Sequence, residues 1–125
     1  MVKSLIAIGV SALLLLGAAL IEWYYVGSQF EEFSEELYSL YLKAEDETAS
    51  GEDAKVVQKS WENRKDRLHV WIPHNDISRI DDYMSETVRL VAEKEYSFAL
   101  AKIEIMMHLT ECLPDTYKPG LENIF

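Results

Sequence analysis

A nearly uninterrupted apolar run from Leu5 to Val26 constrains this chain of 125 residues more than any other feature. Its first 17 residues, up to Ile21, carry no charge. As a helix rising about 1.5 Å per residue, the whole run covers about 33 Å. That length crosses a hydrocarbon core of about 30 Å if Glu22 extends to the far interface. The run therefore predicts a transmembrane anchor over residues 1–26, with lipid contact through residues 5–26.

Aromatic residues close the apolar run where amphipathic rings prefer to lie, at the interface between membrane and water. They are Trp23, Tyr24 and Tyr25. A cleaved signal peptide is the alternative, because Lys3 supplies a short basic start and Gly17-Ala18-Ala19 resembles a small-residue cleavage site. Span length and the aromatic residues favour the uncleaved anchor.

The distribution of charge predicts the orientation of the anchor. Lys3 precedes the apolar run and the next basic residue is Lys43, so the positive-inside rule places the N-terminus in the cytoplasm. The rest, residues 27–125, is then an extracytoplasmic domain of a single-pass cell-membrane protein. This domain carries the formal net charge of −10, and an acidic surface repels nucleic-acid phosphates, so we expect no nucleic-acid partner.

Apolar residues recur at three- and four-residue steps after the anchor, which indicates amphipathic helices. Gly51, Pro73 and a break in the apolar phase near Glu93 separate these helices. The predicted elements are a stalk helix at 27–45, a loop at 46–53, helices at 54–72, 76–93 and 96–113, and a tail at 114–125. Because each helix has one apolar stripe that needs a partner, the sequence predicts an all-α fold. In it, the transmembrane helix continues into a small antiparallel bundle of about four helices.

Local signals assign structural roles to four residues. Asp53 and Asp76 each stand just before an apolar-periodic segment, which is typical of helix N-caps. Pro114 is expected to end the last helix. Cys112 falls in an apolar stretch, and we expect it to be a small buried core residue.

The sequence offers few residues for chemistry. It has no nucleophile elbow, Gly-rich phosphate loop or histidine set at zinc spacing, so we expect no enzyme, no metal and no cofactor. The candidate interaction residues are two tryptophans and the polar turn that follows them: Trp61, Trp71, His74, Asp76 and Asp81. Core packing explains the tryptophans more simply than a docking patch. Capping and a solvated helix face explain the turn more simply than a ligand site.

Several diffuse motifs resemble a family of short bacterial proteins known only as a domain of unknown function. The motifs are Trp61, Leu68, Trp71, the segment 74–81 and the closing segment 121–125. Pro73 and Phe125 depart from the family pattern. The resemblance implies a membrane helix followed by a small acidic helical domain, occurrence in spore-forming bacteria, no established activity and a membrane-protein partner.

Three hypotheses of function follow. The first is a non-catalytic single-pass membrane protein whose acidic helical domain is an interaction module or accessory subunit of a membrane assembly, with homo-oligomerisation left open. The second is a domain that binds or senses a small cation or metal at the turn of residues 74–82. The third is a cleaved, secreted helical protein.

Overall fold

The computed structural model describes residues 1–70 and 72–116, with side chains described up to residue 112. Within this part the chain forms four helices and no strand. The helices are α1 (Val2–Glu45), α2 (Gly51–Leu68), α3 (His74–Ala92) and α4 (Tyr96–Thr116). This confirms the predicted all-α fold, in which one long apolar helix leads into a bundle.

The first helix, α1, has two different parts in one uninterrupted run of 44 residues. Its N-terminal part exposes apolar side chains on every side, and among the described residues it is the one helix long and apolar enough to cross a membrane. Its C-terminal part buries a single stripe, consisting of Val26, Phe30, Phe33, Leu37, Leu40 and Ala44. The predicted stalk stripe is therefore the α1 side of the bundle core.

The four helices form a ring in chain order, because α1 and α3 each pack against both α2 and α4. Short connections make neighbouring helices antiparallel. At one end of the bundle Lys43 of α1 lies 3.4 Å from Asp53 of α2, and near the other end Arg64 of α2 contacts Gln29 of α1. The turn between α2 and α3 and the C-terminal end of α4 therefore lie at the end nearest the apolar part of α1.

Each helix contributes one stripe to a shared core. Trp61 of α2 packs against Phe33 of α1, with ring centroids 5.0 Å apart and ring planes tilted by 36°. Two threonines are buried with these apolar side chains, and their hydroxyls donate to helix carbonyls at 2.7 Å, Thr87 to Tyr83 and Thr110 to Met107. The core thus leaves neither hydroxyl unsatisfied.

Two N-cap predictions were wrong. Ser50, not Asp53, caps α2, and the two residues form a capping box. The Asp53 N–H donates to the Ser50 hydroxyl at 3.2 Å, and the Ser50 N–H donates to the Asp53 carboxylate at 3.0 Å. Helix α3 begins at His74 after Pro73, so Asp76 lies in its first turn instead of capping it. In both cases the helix starts earlier than the apolar stripe does.

Two predictions on α4 were also wrong. The helix runs through Pro114 to Thr116, although a proline within a helix removes one backbone hydrogen bond and its ring crowds the carbonyl four residues earlier. Cys112 is exposed instead of buried. It lies two residues after the buried Thr110, which places it about 200° around the helix from that core position. Trp71 and residues 117–125, most of the predicted tail, lie outside the described residues.

Candidate functional site

Two of the candidate interaction residues, Trp61 and Asp81, meet between α2 and α3. The indole Nε1 of Trp61 donates to Asp81 Oδ1 at 2.7 Å, and Lys65 Nζ lies 3.2 Å from both carboxylate oxygens. Trp61 is 1% exposed, so its indole is a core side chain whose polar edge is satisfied. The Asp81 carboxylate is therefore held by two donors from α2.

Two other candidates, His74 and Asp76, lie in the first turn of α3, at the bundle end nearest the apolar part of α1. The Nε2 atom of His74 lies 3.4 Å from the Ser78 hydroxyl on the same helix. His74 and Asp81 thus contact different neighbours. Among the residues whose placement is described, no three His, Cys, Asp or Glu side chains come together as a set of metal ligands. The remaining candidate, Trp71, lies outside the described residues.

The three predicted interface residues stand directly before the first buried residue of α1, Val26. Trp23 is 39% exposed and Tyr24 is 76% exposed, whereas Tyr25 is partly buried. They mark the junction between the apolar part of α1 and the part that packs in the bundle.

The densest polar contact in the bundle centres on Arg64, a residue that interrupts the apolar stripe of α2. Its guanidinium donates to three side chains of α1, Gln29 at 2.6 Å, Glu32 at 3.0 Å and Glu36 at 2.9 Å. It also donates to Ser60 of its own helix at 3.3 Å. The three acceptors on α1 lie just beyond the aromatic residues at the junction, and we call them and Arg64 the Arg64 cluster. It joins α2 to the helix that carries the apolar run.

Burial and charge act in opposite directions within the Arg64 cluster. The Arg64 side chain is only 14% exposed, and burial alone lowers the pKa of a guanidinium. The hydrogen bonds that Arg64 donates to Glu32 and Glu36, together with the charges of these carboxylates, outweigh burial, so the pKa of Arg64 is raised. One oxygen of Glu36, Oε2, is buried without a hydrogen-bond partner among the described residues. A buried carboxylate oxygen of this kind makes the ion pair costly to break on one side only.

A shallow groove of about 470 Å³ lies beside the Arg64 cluster, between α1 and α2. Its further lining includes Lys59, Asn63 and Arg67. The groove is open to solvent and mixes cationic and anionic groups, since Glu32 also lines it.

Sequence reasoning missed the acceptors of the Arg64 cluster. One signal was present: Glu32 and Glu36 are four residues apart, which places both carboxylates on one face of α1. A cationic side chain on the apolar stripe of the next helix can form ion pairs with two such carboxylates. What the sequence alone could not supply was the register that brings Arg64 level with them.

A second polar contact ties α1 to α4. The Tyr41 hydroxyl donates to Glu104 at 2.9 Å. This hydrogen bond is the main reason why the pKa of Tyr41 is raised above 10.0. The C-terminal part of α1 is thus held by polar contacts on both flanks, in addition to its buried stripe.

The outward face of α4 carries an exposed stripe that contains no Asp, Glu, Lys or Arg. Its members are spaced alternately three and four residues apart: Phe98, Ala101, Ile105, His108 and Cys112. Phe98 is 64% exposed and Ile105 is 40% exposed. The buried residues of α4, such as Ile103 and Thr110, lie on the opposite side. We call the stripe the α4 seam.

A family model for DUF4363, described as a domain of unknown function, matches residues 23–124. The match begins at Trp23 and covers the whole bundle, well over half of the chain, so the chain belongs to this family. The predicted resemblance to a family of unknown function is thereby confirmed. No curated protein and no solved structure matches the chain significantly.

Proposed function

We propose that this DUF4363 protein is a non-catalytic, single-pass membrane protein whose extracytoplasmic bundle is an interaction module, an accessory subunit of a larger membrane assembly. One observation carries the proposal, the continuity of α1. The helix whose exposed apolar residues suit a bilayer is the same helix that buries its stripe from Val26 to Ala44 in the bundle core. The apolar segment is 0% buried within the structure, and so large an exposed apolar surface supports contact with lipid.

Polar contacts support the same role, because they make the anchor and the bundle one mechanical unit. The Arg64 cluster holds α1 to α2, and the bond from Tyr41 to Glu104 holds α1 to α4. A partner that binds α1 within the membrane and a partner that binds the bundle outside it would therefore act on one rigid element. This arrangement suits a subunit that positions or couples other proteins.

The charges of the chain support the orientation, with the N-terminus cytoplasmic. Lys3 stands before the apolar part of α1, and the acidic residues lie almost wholly after it. The family resemblance adds an expected membrane-protein partner and an occurrence in spore-forming bacteria.

The proposal is tested by crosslinking in native membranes at native expression, followed by mass spectrometry of the crosslinked species. We expect recovery of a second membrane protein joined to the bundle or to the apolar part of α1. Recovery of this chain alone would contradict an accessory role. The variant Arg64→Ala should weaken crosslinks between bundle and partner, whereas Arg67→Ala, an exposed neighbour in the same groove, serves as the matched control.

The intact mass of the mature protein tests the rival reading as a secreted protein. We expect the mature chain to retain residues 1–19. We also expect the chain to remain in the membrane fraction when membranes are washed with alkaline carbonate. A mature chain that lacks these residues would support secretion instead.

A further inference from the structure

We propose that the α4 seam is the surface through which a second copy of this chain binds, with the two α4 helices side by side and parallel. This inference rests on the proposed membrane anchor. The proposed function by itself specifies neither this partner nor this surface.

The spacing of the seam is that of a coiled-coil contact. Positions a and d of a heptad repeat alternate by three and four residues, and on α4 they are occupied by Phe98 (a), Ala101 (d), Ile105 (a), His108 (d) and Cys112 (a). The core positions of the same helix, including Ile103 and Met106, fall at b and f and face the other way. Thus α4 has two faces, one that is used in the bundle and one that is exposed and has the spacing of a helix pair.

The anchor selects a parallel arrangement. Two copies inserted in one bilayer with the same orientation can be related only by a two-fold axis along the membrane normal, so equivalent helices run parallel. In a parallel pair each seam residue meets its own counterpart, Phe98 against Phe98 and Ile105 against Ile105.

The flanking charges permit this arrangement. In a parallel pair, a residue at g faces the residue at e of the next heptad in the partner. Here these facing pairs are Ser97 with Lys102, and Glu104 with Leu109. Neither pair joins like charges, and the seam itself carries no acidic or basic residue other than His108, although the chain has a net charge of −10.

The size of the seam explains why the second copy requires the membrane. Five residues over two heptads bury less than the about 800 Å² per partner that stable soluble interfaces use. Anchors that confine both copies to one bilayer raise their effective concentration, which compensates for a small interface. The dimer should therefore weaken as the lipid-to-protein ratio rises.

Oxidative crosslinking of the full chain in lipid vesicles tests the proposal. Cys112 is the only cysteine, and at an a position its counterpart in a parallel pair comes within the Cα separation of about 4.4–6.8 Å that a disulfide needs. We expect a disulfide-linked dimer on a non-reducing gel, for Cys112 and equally for Ile105→Cys in a Cys112→Ser background. Val56→Cys in the same background lies on α2, away from the seam, and should not crosslink.

A matched pair of charge substitutions provides the second arm. Phe98→Glu places two carboxylates face to face and should lower the crosslinked fraction at least about tenfold, equivalent to 1.4 kcal/mol. Val56→Glu alters an equally apolar side chain with a similar exposure, 68% against 64%, and should leave crosslinking unchanged. Both positions are exposed, so circular dichroism should report the same helical content.

Each outcome decides between the two proposals. Equal crosslinking of Ile105→Cys and Val56→Cys, or an unchanged yield in Phe98→Glu, would overturn the seam as the dimer surface. A chain that stays in carbonate-washed vesicles but does not crosslink leaves the membrane anchor intact and removes only the second copy. A chain that is extracted by carbonate contradicts the anchor itself.

Discussion

At the scale of single residues, Arg64 shows why an arginine stands on an otherwise apolar stripe. Three acceptors from α1 surround its guanidinium, and a planar group with five donors can reach all of them at once. A lysine would supply the charge without this geometry. The residue therefore fixes the register between α1 and α2 as well as contributing an ion pair.

Replacing Arg64 by alanine should destabilise the bundle, because it removes the donor to Glu36 Oε1 from a carboxylate whose other oxygen, Oε2, is already buried without a hydrogen-bond partner among the described residues. We expect a loss of about 2–3 kcal/mol in the free energy of unfolding, below the range for fully buried pairs because Glu32 is half exposed. Arg64→Lys should recover only part of it. Denaturant unfolding of the full chain in detergent micelles, followed by circular dichroism, measures the change.

The matched control is Arg67→Ala, which removes an exposed arginine one turn away and should change the stability by less than about 0.5 kcal/mol. A loss of similar size in both variants would mean that helix propensity, not the Arg64 cluster, is responsible.

The capping box at Ser50 predicts a dependence of stability on acid. The Ser50 N–H, then the Ser50 hydroxyl and Lys43, hold the pKa of Asp53 below 3.8. Since the folded pKa is the lower one, the stabilisation is present above the unfolded value and is lost as the pH falls through the folded value. Asp53→Asn should therefore cost about 0.5–1 kcal/mol at pH 7.

The difference between Asp53→Asn and the parent chain should shrink below about pH 4, where the parent also becomes protonated. Unfolding curves at pH 7 and in acid compare the two. Glu52→Gln, a neighbouring carboxylate that is 86% exposed, should show a smaller effect at pH 7. An Asp53→Asn deficit that persists unchanged in acid would rule out the capping carboxylate as its source.

At the scale of elements, the repeat of apolar residues along each helix could be predicted from the sequence. The residues at which the helices begin and end could not. The stripe of α1 could be read from the sequence because a buried face repeats every three or four residues wherever the helix packs. The starts of α2 and α3 were missed because a capping residue such as Ser50 lies outside the stripe. Cys112 was predicted to be buried because it falls in an apolar stretch of the sequence. That stretch covers two faces of α4, and only one of these faces is in the core.

Gly27 lies in α1 where the apolar part of the helix meets the part that packs in the bundle, and alanine there should stabilise the helix. Nothing lies within 4 Å of a Cβ atom built at Gly27, so Gly27→Ala should add about 0.5–1 kcal/mol through helix propensity alone. Gly51→Ala is the control: its Cβ would lie 3.3 Å from Ala92 Cβ, which offsets the gain.

Thermal unfolding of the full chain in micelles measures both alanine variants. A higher midpoint for Gly27→Ala than for Gly51→Ala is the expected result. If Gly27→Ala lowered the midpoint, the helix would have to bend or open at this position, and the rigid coupling of anchor and bundle would be lost.

At the scale of the whole molecule, the long apolar helix was easier to predict than the surfaces of the bundle. The length and composition of the apolar run from Leu5 to Val26 can be read directly from the sequence, so this helix required no knowledge of packing. The Arg64 cluster and the α4 seam depend on which faces remain after four helices have closed a ring. The periodicity of the sequence indicates whether a helix face is apolar or polar. Whether that face contacts another helix or solvent depends on how the four helices pack.

Orientation is the property of the whole molecule on which the proposed role depends, and labelling with a membrane-impermeant maleimide tests it. In a Cys112→Ser background, Val56→Cys places an exposed thiol on α2 without disturbing the core or the α4 seam. Val2→Cys places a thiol at the other end of the proposed anchor and keeps Lys3, the residue from which the positive-inside rule predicts the orientation. In intact cells we expect labelling of Val56→Cys and none of Val2→Cys, with both labelled after permeabilisation. The reverse pattern would place the bundle in the cytoplasm, and a labelled Val56→Cys chain in the medium would show that the anchor had been cleaved.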